Sequence, residues 1–261
     1  MTDLLKGRVA VITGGTEGIG RGIAEAFLAE GATVVINGRS ADKGGRALAE
    51  LDAGDRAHFI AGDVKSKESL EALVDGAAEF GGGLHILVNN AGGSSGFNLV
   101  GELSDEAWLE ALDWNLNATF WATRRALKYL VPNGWGRIIN ISSAEGKEAT
   151  KPAVSHYITN KHAINGLTKA VAFEYGPMGI TSNAICPGAV ETALMKSAGP
   201  AYAESAGITY EEFLQTYADE SMIKRLNTVE EVAAMAVLLA SDLGGGITGS
   251  LLNVDGGTSS W

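Results

Sequence analysis

The chain has 261 residues, 46% of them hydrophobic and 20% charged, which suits one large α/β domain whose sheet is covered on both faces. A formal net charge of -11 excludes the basic surface that nucleic acid or an anionic membrane would require, and leaves a small molecule as the expected partner. One cysteine, Cys186, rules out an intrachain disulfide; His58, His85, His156 and His162 show no metal-ligand spacing; and apolar runs such as 9–12 and 233–240 are too short to span a bilayer.

Short apolar, β-branched runs alternate with segments of helical period. Val9 to Thr13 reads as a buried strand, Gly18 to Glu30 as a helix, Ala32 to Ile36 as a second strand and Ala41 to Leu51 as a second helix, which together make a βαβ unit. The alternation continues with strands at 57–61, 84–89, 136–142 and 179–184, helices between them at 67–80, 106–130 and 153–174, then a helix at 229–240 and a strand at 249–254. Strands that are apolar at nearly every position are buried on both faces, which predicts a doubly wound parallel sheet with helices on either side. The regularity breaks only between Ala189 and Asn227. There Met195, Tyr202, Tyr210, Phe213, Tyr217 and Met222 predict an amphipathic lid of one or two helices. No composition shift marks a boundary, so residues 1–261 read as a single dinucleotide-binding domain with the lid, 189–227, inside it, and the expected compartment is the cytoplasm.

The first turn carries the earliest chemical signal. Thr13-Gly14-Gly15-Thr16-Glu17-Gly18-Ile19-Gly20 follows a strand and opens a helix, so that backbone N–H groups at the positive helix end face a pyrophosphate and the glycines let it approach. Gly14, Thr16, Glu17, Gly18, Ile19 and Gly20 are the candidates for that contact. Asn90, Ala91 and Gly92 end the fourth strand at the carboxyl edge of the sheet, where open α/β folds bind ligands, and their small size leaves room for one. Tyr157 and Lys161 lie one helical turn apart on the same face. A free phenol titrates near ~10 and a lysine near ~10.4, so the charged lysine favours the phenolate and draws the tyrosine toward acid–base work at neutral pH. Taken alone, the pair reads equally well as a half-buried aromatic beside a solvated lysine.

Together, Thr13 to Gly20, Asn89-Asn90-Ala91-Gly92, Asn115, Ser142-Ser143, Tyr157-x-x-x-Lys161 and Pro187-Gly188 with Thr192 resemble, in order and over essentially the whole chain, the motif set of the short-chain dehydrogenase/reductase superfamily. The resemblance implies a Rossmann fold of about seven parallel strands and an NAD(P)-dependent enzyme interconverting a secondary alcohol and a ketone. It implies a homotetramer, with residues 251–261 in subunit contacts. It makes Asn115, Ser143, Tyr157 and Lys161 the catalytic candidates: Tyr157 transfers the proton, Ser143 polarises the carbonyl, Lys161 lowers the phenol pKa and binds the nicotinamide ribose, and Asn115 stabilises a helix distortion that holds water linked to Lys161. Asp63 and Val64 are expected at the adenine, and Pro187, Gly188, Val190 and Thr192 along the nicotinamide half. Ser142 is the rival of Ser143. Ser143 precedes Tyr157 by fourteen positions, one more than is usual in the family, which places an extra residue in the 145–155 loop.

Choice of cofactor rests on Asn37-Gly38-Arg39-Ser40, which ends the second strand without the acidic residue that would bind a ribose 2′-hydroxyl. Arg39 suits a 2′-phosphate and Glu17 opposes one, so NADP(H) is favoured and NAD(H) is the alternative. Gly93 to Phe97 and Glu145 are expected to border the substrate. Glu145 disfavours an anionic substrate or is a solvated loop carboxylate, Lys147 and Lys151 are its expected counter-charges, and His156 reads as a rim or surface residue. The favoured substrate is a small neutral or cyclic compound; a 3-oxoacyl thioester or hydroxy acid is the alternative. A nucleotide-bound sensor without turnover is the reading from another class, and the intact Asn115, Ser143, Tyr157 and Lys161 speak against it.

Overall fold

The apolar runs form seven strands: β1 (Val9–Ile12), β2 (Thr33–Gly38), β3 (Ala57–Ala61), β4 (Ile86–Asn89), β5 (Gly136–Ile141), β6 (Ile180–Pro187) and β7 (Leu251–Val254). These are seen in a computed structural model that describes residues 3–94, 96–205 and 207–259, with the backbone alone at 193, 194, 198, 202 and 205. Ser95 and the side chain of Tyr202 therefore lie outside the described residues. All pairings are parallel, in the order β3-β2-β1-β4-β5-β6-β7. The chain winds outward from β1 to β3, returns to β4 beside β1, and winds the other way to β7. That reversal opens a crevice beyond the carboxyl ends of β1 and β4, the place where such sheets hold ligands.

Nine helices cover the described sheet: α1 (Gly18–Ala29), α2 (Ala41–Leu51), α3 (Lys67–Gly81), α4 (Asp105–Leu112), α5 (Ala118–Asn133), α6 (Ser155–Tyr175), α7 (Ala193–Ser205), α8 (Tyr210–Glu220) and α9 (Val229–Ala240). Strand alternation divides the core in two. Ala10 and Ile12 of β1 pack with Ile23 and Phe27 of α1 and Val232 and Leu239 of α9, while Val11 faces Leu70 and Leu73 of α3 and Leu127 and Leu130 of α5. Each Val, Leu, Ile or Phe among them, removed from water, contributes about 1.5–3 kcal/mol. Ser40, Ser66 and Ser104 cap α2, α3 and α4 by accepting from Lys43, Ser69 and Ala107 N–H, and Thr209 and Thr228 form capping boxes with Glu212 and Glu231.

Three of the boundary differences from the sequence reading have a clear local cause. The single helix expected at 106–130 is α4, a π-turn at Asp113–Asn117 and then α5. The helix expected from Ala153 begins at Ser155, because Ala153 itself has φ 63 and so lies in the left-handed region. Strand β6 runs on to Pro187, three residues further than its apolar core, since β5 and β7 pair with it on both sides. The 189–227 interval expected to form a lid contains two helices, α7 and α8. Among the described residues no helix is long and apolar enough to cross a membrane.

Candidate active site

The crevice is a cleft of about 790 Å³ that runs from the Gly14–Gly20 turn to Tyr157. Its floor requires glycine. Gly14 has φ +64, and a Cβ on Gly20 would lie 2.4 Å from Asn90 Nδ2 and 2.5 Å from the Gly14 carbonyl. Asn90 is the reason for that crowding: its amide donates to the carbonyls of Thr13 and Gly14, 3.0 Å each. Thr13 Oγ1 in turn accepts from Asn90 and Ala91 N–H, 3.0 Å each. Asn90 thus lines the cleft by bracing the glycine turn, which is more than leaving room, and the bracing role of Thr13 was not read from the sequence. Across the cleft, a Cβ on Gly18 would touch Thr192 at 3.5 Å. A turn of this shape at the start of α1, in a cleft of this volume, fits a dinucleotide.

At the other end, the first turns after β4 and β5 meet α6. Lys161 is 4% exposed, its Nζ donates to the Ile141 carbonyl at 2.8 Å, and it lies 5.4 Å from the centre of the Tyr157 ring. Burial pulls the Lys161 ammonium down to about 8. The Tyr157 phenol is pushed above its usual range by burial, drawn back by a hydrogen bond with the Ser143 hydroxyl, and pushed up further by the Glu145 carboxylate. The depression of Tyr157 by Lys161 that the spacing predicts is not among these causes. Ser143 Oγ accepts from the Glu145 N–H at 3.1 Å, which leaves its hydrogen free to point at Tyr157 or at a carbonyl oxygen. Ser142, which also lines the cleft, is 3% exposed and donates to the Lys161 carbonyl at 3.4 Å.

Asn115 stands behind this group in the π-turn, fully buried. Its Oδ1 accepts from Gly93 N–H at 3.1 Å, and its Nδ2 donates to the carbonyls of Gly93 and Ala111 at 2.9 and 2.8 Å. The widened turn frees the Ala111 carbonyl for this amide. Gly92 passes between, since a Cβ there would lie 2.6 Å from Asn115 Oδ1 and 3.5 Å from Lys161 Nζ.

Charge is concentrated at the far end of the cleft. Arg39 leaves β2 there, and Lys43 and Lys65, which the sequence reading missed, line the same region. Lys43 Nζ lies 3.2 Å from Glu17 Oε2, and Lys65 Nζ 2.8 Å from Glu110 Oε1. Asp63 and Val64 line the wall, with Asp63 Oδ1 accepting from Lys65 N–H at 3.0 Å. Pro187, Gly188, Ile19 and Thr16 also line it.

Val190, expected along the nicotinamide half, is 7% exposed in the core, its backbone bridges Asn227, and it is not among the cleft-lining residues. Three other expectations are corrected. His156 is no surface residue but fully buried, its imidazole pushed below the usual range by burial, and its Nε2 lies 2.9 Å from Ser94 Oγ. Glu145 is not solvated, being 9% exposed. Lys147 and Lys151 do not counter it, because Lys147 bonds Asn253 and Lys151 pairs with Glu220. No cluster of three His, Cys, Asp or Glu side chains suited to a metal occurs among the described residues.

Fold and cleft together define a dinucleotide-binding α/β protein with a tyrosine, serine and lysine at one end of its ligand site. A family model described as Enoyl-(Acyl carrier protein) reductase matches residues 14–259. The chain is 37% identical to a 3beta-hydroxysteroid dehydrogenase of Mediterraneibacter gnavus, over 97% of this chain and 95% of the relative. It is 39% identical to a D-beta-hydroxybutyrate dehydrogenase of Rhizobium meliloti, over 96% and 98%. A variant of actinorhodin polyketide ketoreductase, solved with NADPH, superposes with a TM-score of 0.91 at 36% identity, covering 97% of this chain and 98% of its own. The chain belongs to the short-chain dehydrogenase/reductase family, and it is an oxidoreductase that interconverts a secondary alcohol and a ketone with a nicotinamide dinucleotide.

Proposed function

We propose that Tyr157 is the proton donor and acceptor of this reaction, assisted by Ser143 and Lys161, on a small neutral or cyclic substrate with NADP(H) as the preferred cofactor. The observation that carries the reading is the convergence of the Ser143 hydroxyl, the Tyr157 phenol and the buried Lys161 ammonium at one end of a glycine-floored cleft. The bound dinucleotide supplies or takes up the hydride. Gly14, Thr16, Gly18, Ile19 and Gly20 would hold its pyrophosphate against the N-terminus of α1, with Asp63 and Val64 toward the adenine and Pro187, Gly188 and Thr192 toward the nicotinamide.

Ser143 donates its hydrogen to the substrate oxygen, because its own oxygen is already occupied by the Glu145 N–H. Tyr157, kept protonated by its burial, gives a proton to that oxygen in reduction and recovers it in oxidation. Lys161 stabilises the phenolate so formed. Asn115, spent on Gly93 and Ala111, holds the strap that separates it from Lys161. Replacement of Tyr157 by Phe lowers turnover, followed at the reduced-nicotinamide absorbance, by about 10²–10⁴-fold while cofactor binding changes little. Full activity in that variant would remove Tyr157 from the chemistry.

Preference for NADP(H) is supported by Arg39, Lys43 and Lys65 at one end of the cleft, and by the engagement of Glu17 with Lys43. A 3-oxoacyl thioester is the second reading, favoured by the likeness to a polyketide ketoreductase. A homotetramer is supported by apolar side chains left open on the α4–α6 side, Phe173 at 88%, Leu109 at 55% and Phe120 at 40% exposure. A cytoplasmic location is supported by the unpaired, buried Cys186.

A further inference from the structure

Glu145 is a buried ionisable side chain beside the reacting groups for which the proton chemistry has no use. It follows Ser143 by two positions in the turn after β5 and is 9% exposed. Thr150 occupies both of its oxygens: Oε2 accepts from the Thr150 N–H at 3.1 Å and Oε1 from the Thr150 hydroxyl. Both donors are neutral, so they fix the carboxylate in place without cancelling its charge.

The cations of the neighbourhood are spent elsewhere. Lys147 Nζ donates to Asn253 Oδ1 at 2.8 Å, and Lys151 pairs with Glu220 on α8 and lies 4.5 Å from the ring centre of Tyr217. Lys196 of α7 is 3.6 Å from Glu191. Among the described residues Glu145 forms no ion pair. The other cations of the cleft, Arg39, Lys43 and Lys65, sit at its opposite end, and Lys161 is held on the Ile141 carbonyl. A carboxylate without a counter-charge in a low-dielectric site acts well beyond contact distance. Its reach is visible at Tyr157, whose ionisation it opposes.

We propose that Glu145 is a specificity-determining residue: its fixed, uncompensated charge rejects ketones that carry a carboxylate near the reacting carbonyl and confines the site to neutral substrates such as esters, thioesters and cyclic ketones. This rests on the ketone reduction proposed above at Ser143 and Tyr157. A substrate carboxylate one or two carbons from the carbonyl must be desolvated beside Ser143, finds no cation there other than Lys161, which is held on the Ile141 carbonyl, and meets a second negative charge that the Thr150 backbone N–H keeps in place. The hydroxy-acid alternative is thereby disfavoured.

The test compares acetoacetate with its methyl ester as substrates of the whole protein with NADPH, in wild type, Glu145→Gln, Glu145→Asp and Thr150→Val. Wild type prefers the ester over the acid by at least about tenfold in kcat/KM. Glu145→Gln lowers that preference by about fivefold or more, chiefly through the KM of the acid, and Glu145→Asp restores it. Thr150→Val keeps the charge and so keeps the preference, even if both rates fall. Wild-type preference for the acid, or a ratio that Glu145→Gln leaves unchanged, overturns the proposal. Should Glu145→Gln fail to fold, loss of the preference in Thr150→Val overturns it instead. Failure of wild type to reduce any ketone in a broad panel would refute the ketone reading itself, and this proposal with it.

Discussion

Lys161 shows how far a functional group is held from its comfortable state. Its ammonium has been taken from water and given one carbonyl at 2.8 Å, and burial pulls its pKa from 10.5 to about 8. The folded-state value therefore lies below the unfolded one. Between about pH 8 and 10.5 the unfolded chain holds a proton that the native site has released, so stability from this residue rises with pH across that window and is lowest below it. A shift of this size corresponds to about 3 kcal/mol of native-state strain at neutral pH, part of it offset by the Ile141 bond. Lys161→Met is thus expected to abolish turnover yet raise the melting temperature at pH 7 by a few degrees, on the order of 1 kcal/mol, with the gain gone by about pH 10. Calorimetric scans at the two pH values check it; a destabilised variant at pH 7 would show that the ammonium sits easily. The Tyr157–Lys161 spacing was readable in the sequence because both residues belong to one helix. What burial does to their protonation was not, since the walls are Ile141, Gly92 and Asn115, from other parts of the chain.

At the scale of elements, the end of β2 and the first turn of α2 form one electrostatic unit. Arg39 is fixed by the strand end, and Lys43 is aimed back over the cleft at Glu17 by the Ser40 cap that starts α2. A 2′-phosphate would have Arg39 to itself and would compete with Glu17 for Lys43. Arg39→Ala is therefore expected to weaken NADPH binding by tenfold or more and NADH by less than threefold, with Lys43→Ala showing a smaller effect of the same sign; fluorescence titration of both cofactors measures it. Equal losses for the two cofactors would assign Arg39 a purely structural part. Arg39 was legible because a strand end has a known place in the sheet. Lys43 was not, as the direction of α2 comes from its packing on β3 and its cap. The same limit explains the π-turn and the loop after β5. Asn115 stood out as a polar residue in a helical pattern, and the resemblance implied a helix distortion there, but its partner Gly93 comes from another part of the chain, as the two bonds that Thr150 makes to Glu145 come from further along the loop.

For the molecule as a whole, periodicity settled most of the fold, because parallel strands buried on two faces must be apolar throughout and the Gly14–Gly20 turn sets the first crossover. The outer faces were not legible in the same way. Phe173, Leu109 and Phe120 fall at positions where a helix normally meets water, and only the packed structure shows that nothing in the described chain covers them. If copies of the chain cover these side chains, Phe173→Asp is expected to reduce the particle from four chains of 27.0 kDa to two or one by light scattering, with the secondary structure intact. An unchanged mass would move the subunit contact to another face.

The reversal of strand order between β1 and β4 also decides when the protein becomes able to bind. The cleft draws on Gly14 near the start of the chain and on Thr192 three-quarters of the way along it, and Gly188 is wedged against Asp255 in the tail, where a Cβ would lie 2.9 Å from its backbone. During synthesis, a nascent chain shorter than this holds only part of the cleft, and the free edge of β4 waits for β5. Ligand then rewards the completed chain alone, by mass action on the folded state. A higher level of free dinucleotide is therefore expected to lengthen the lifetime of this protein against proteolysis as well as to raise its rate of turnover.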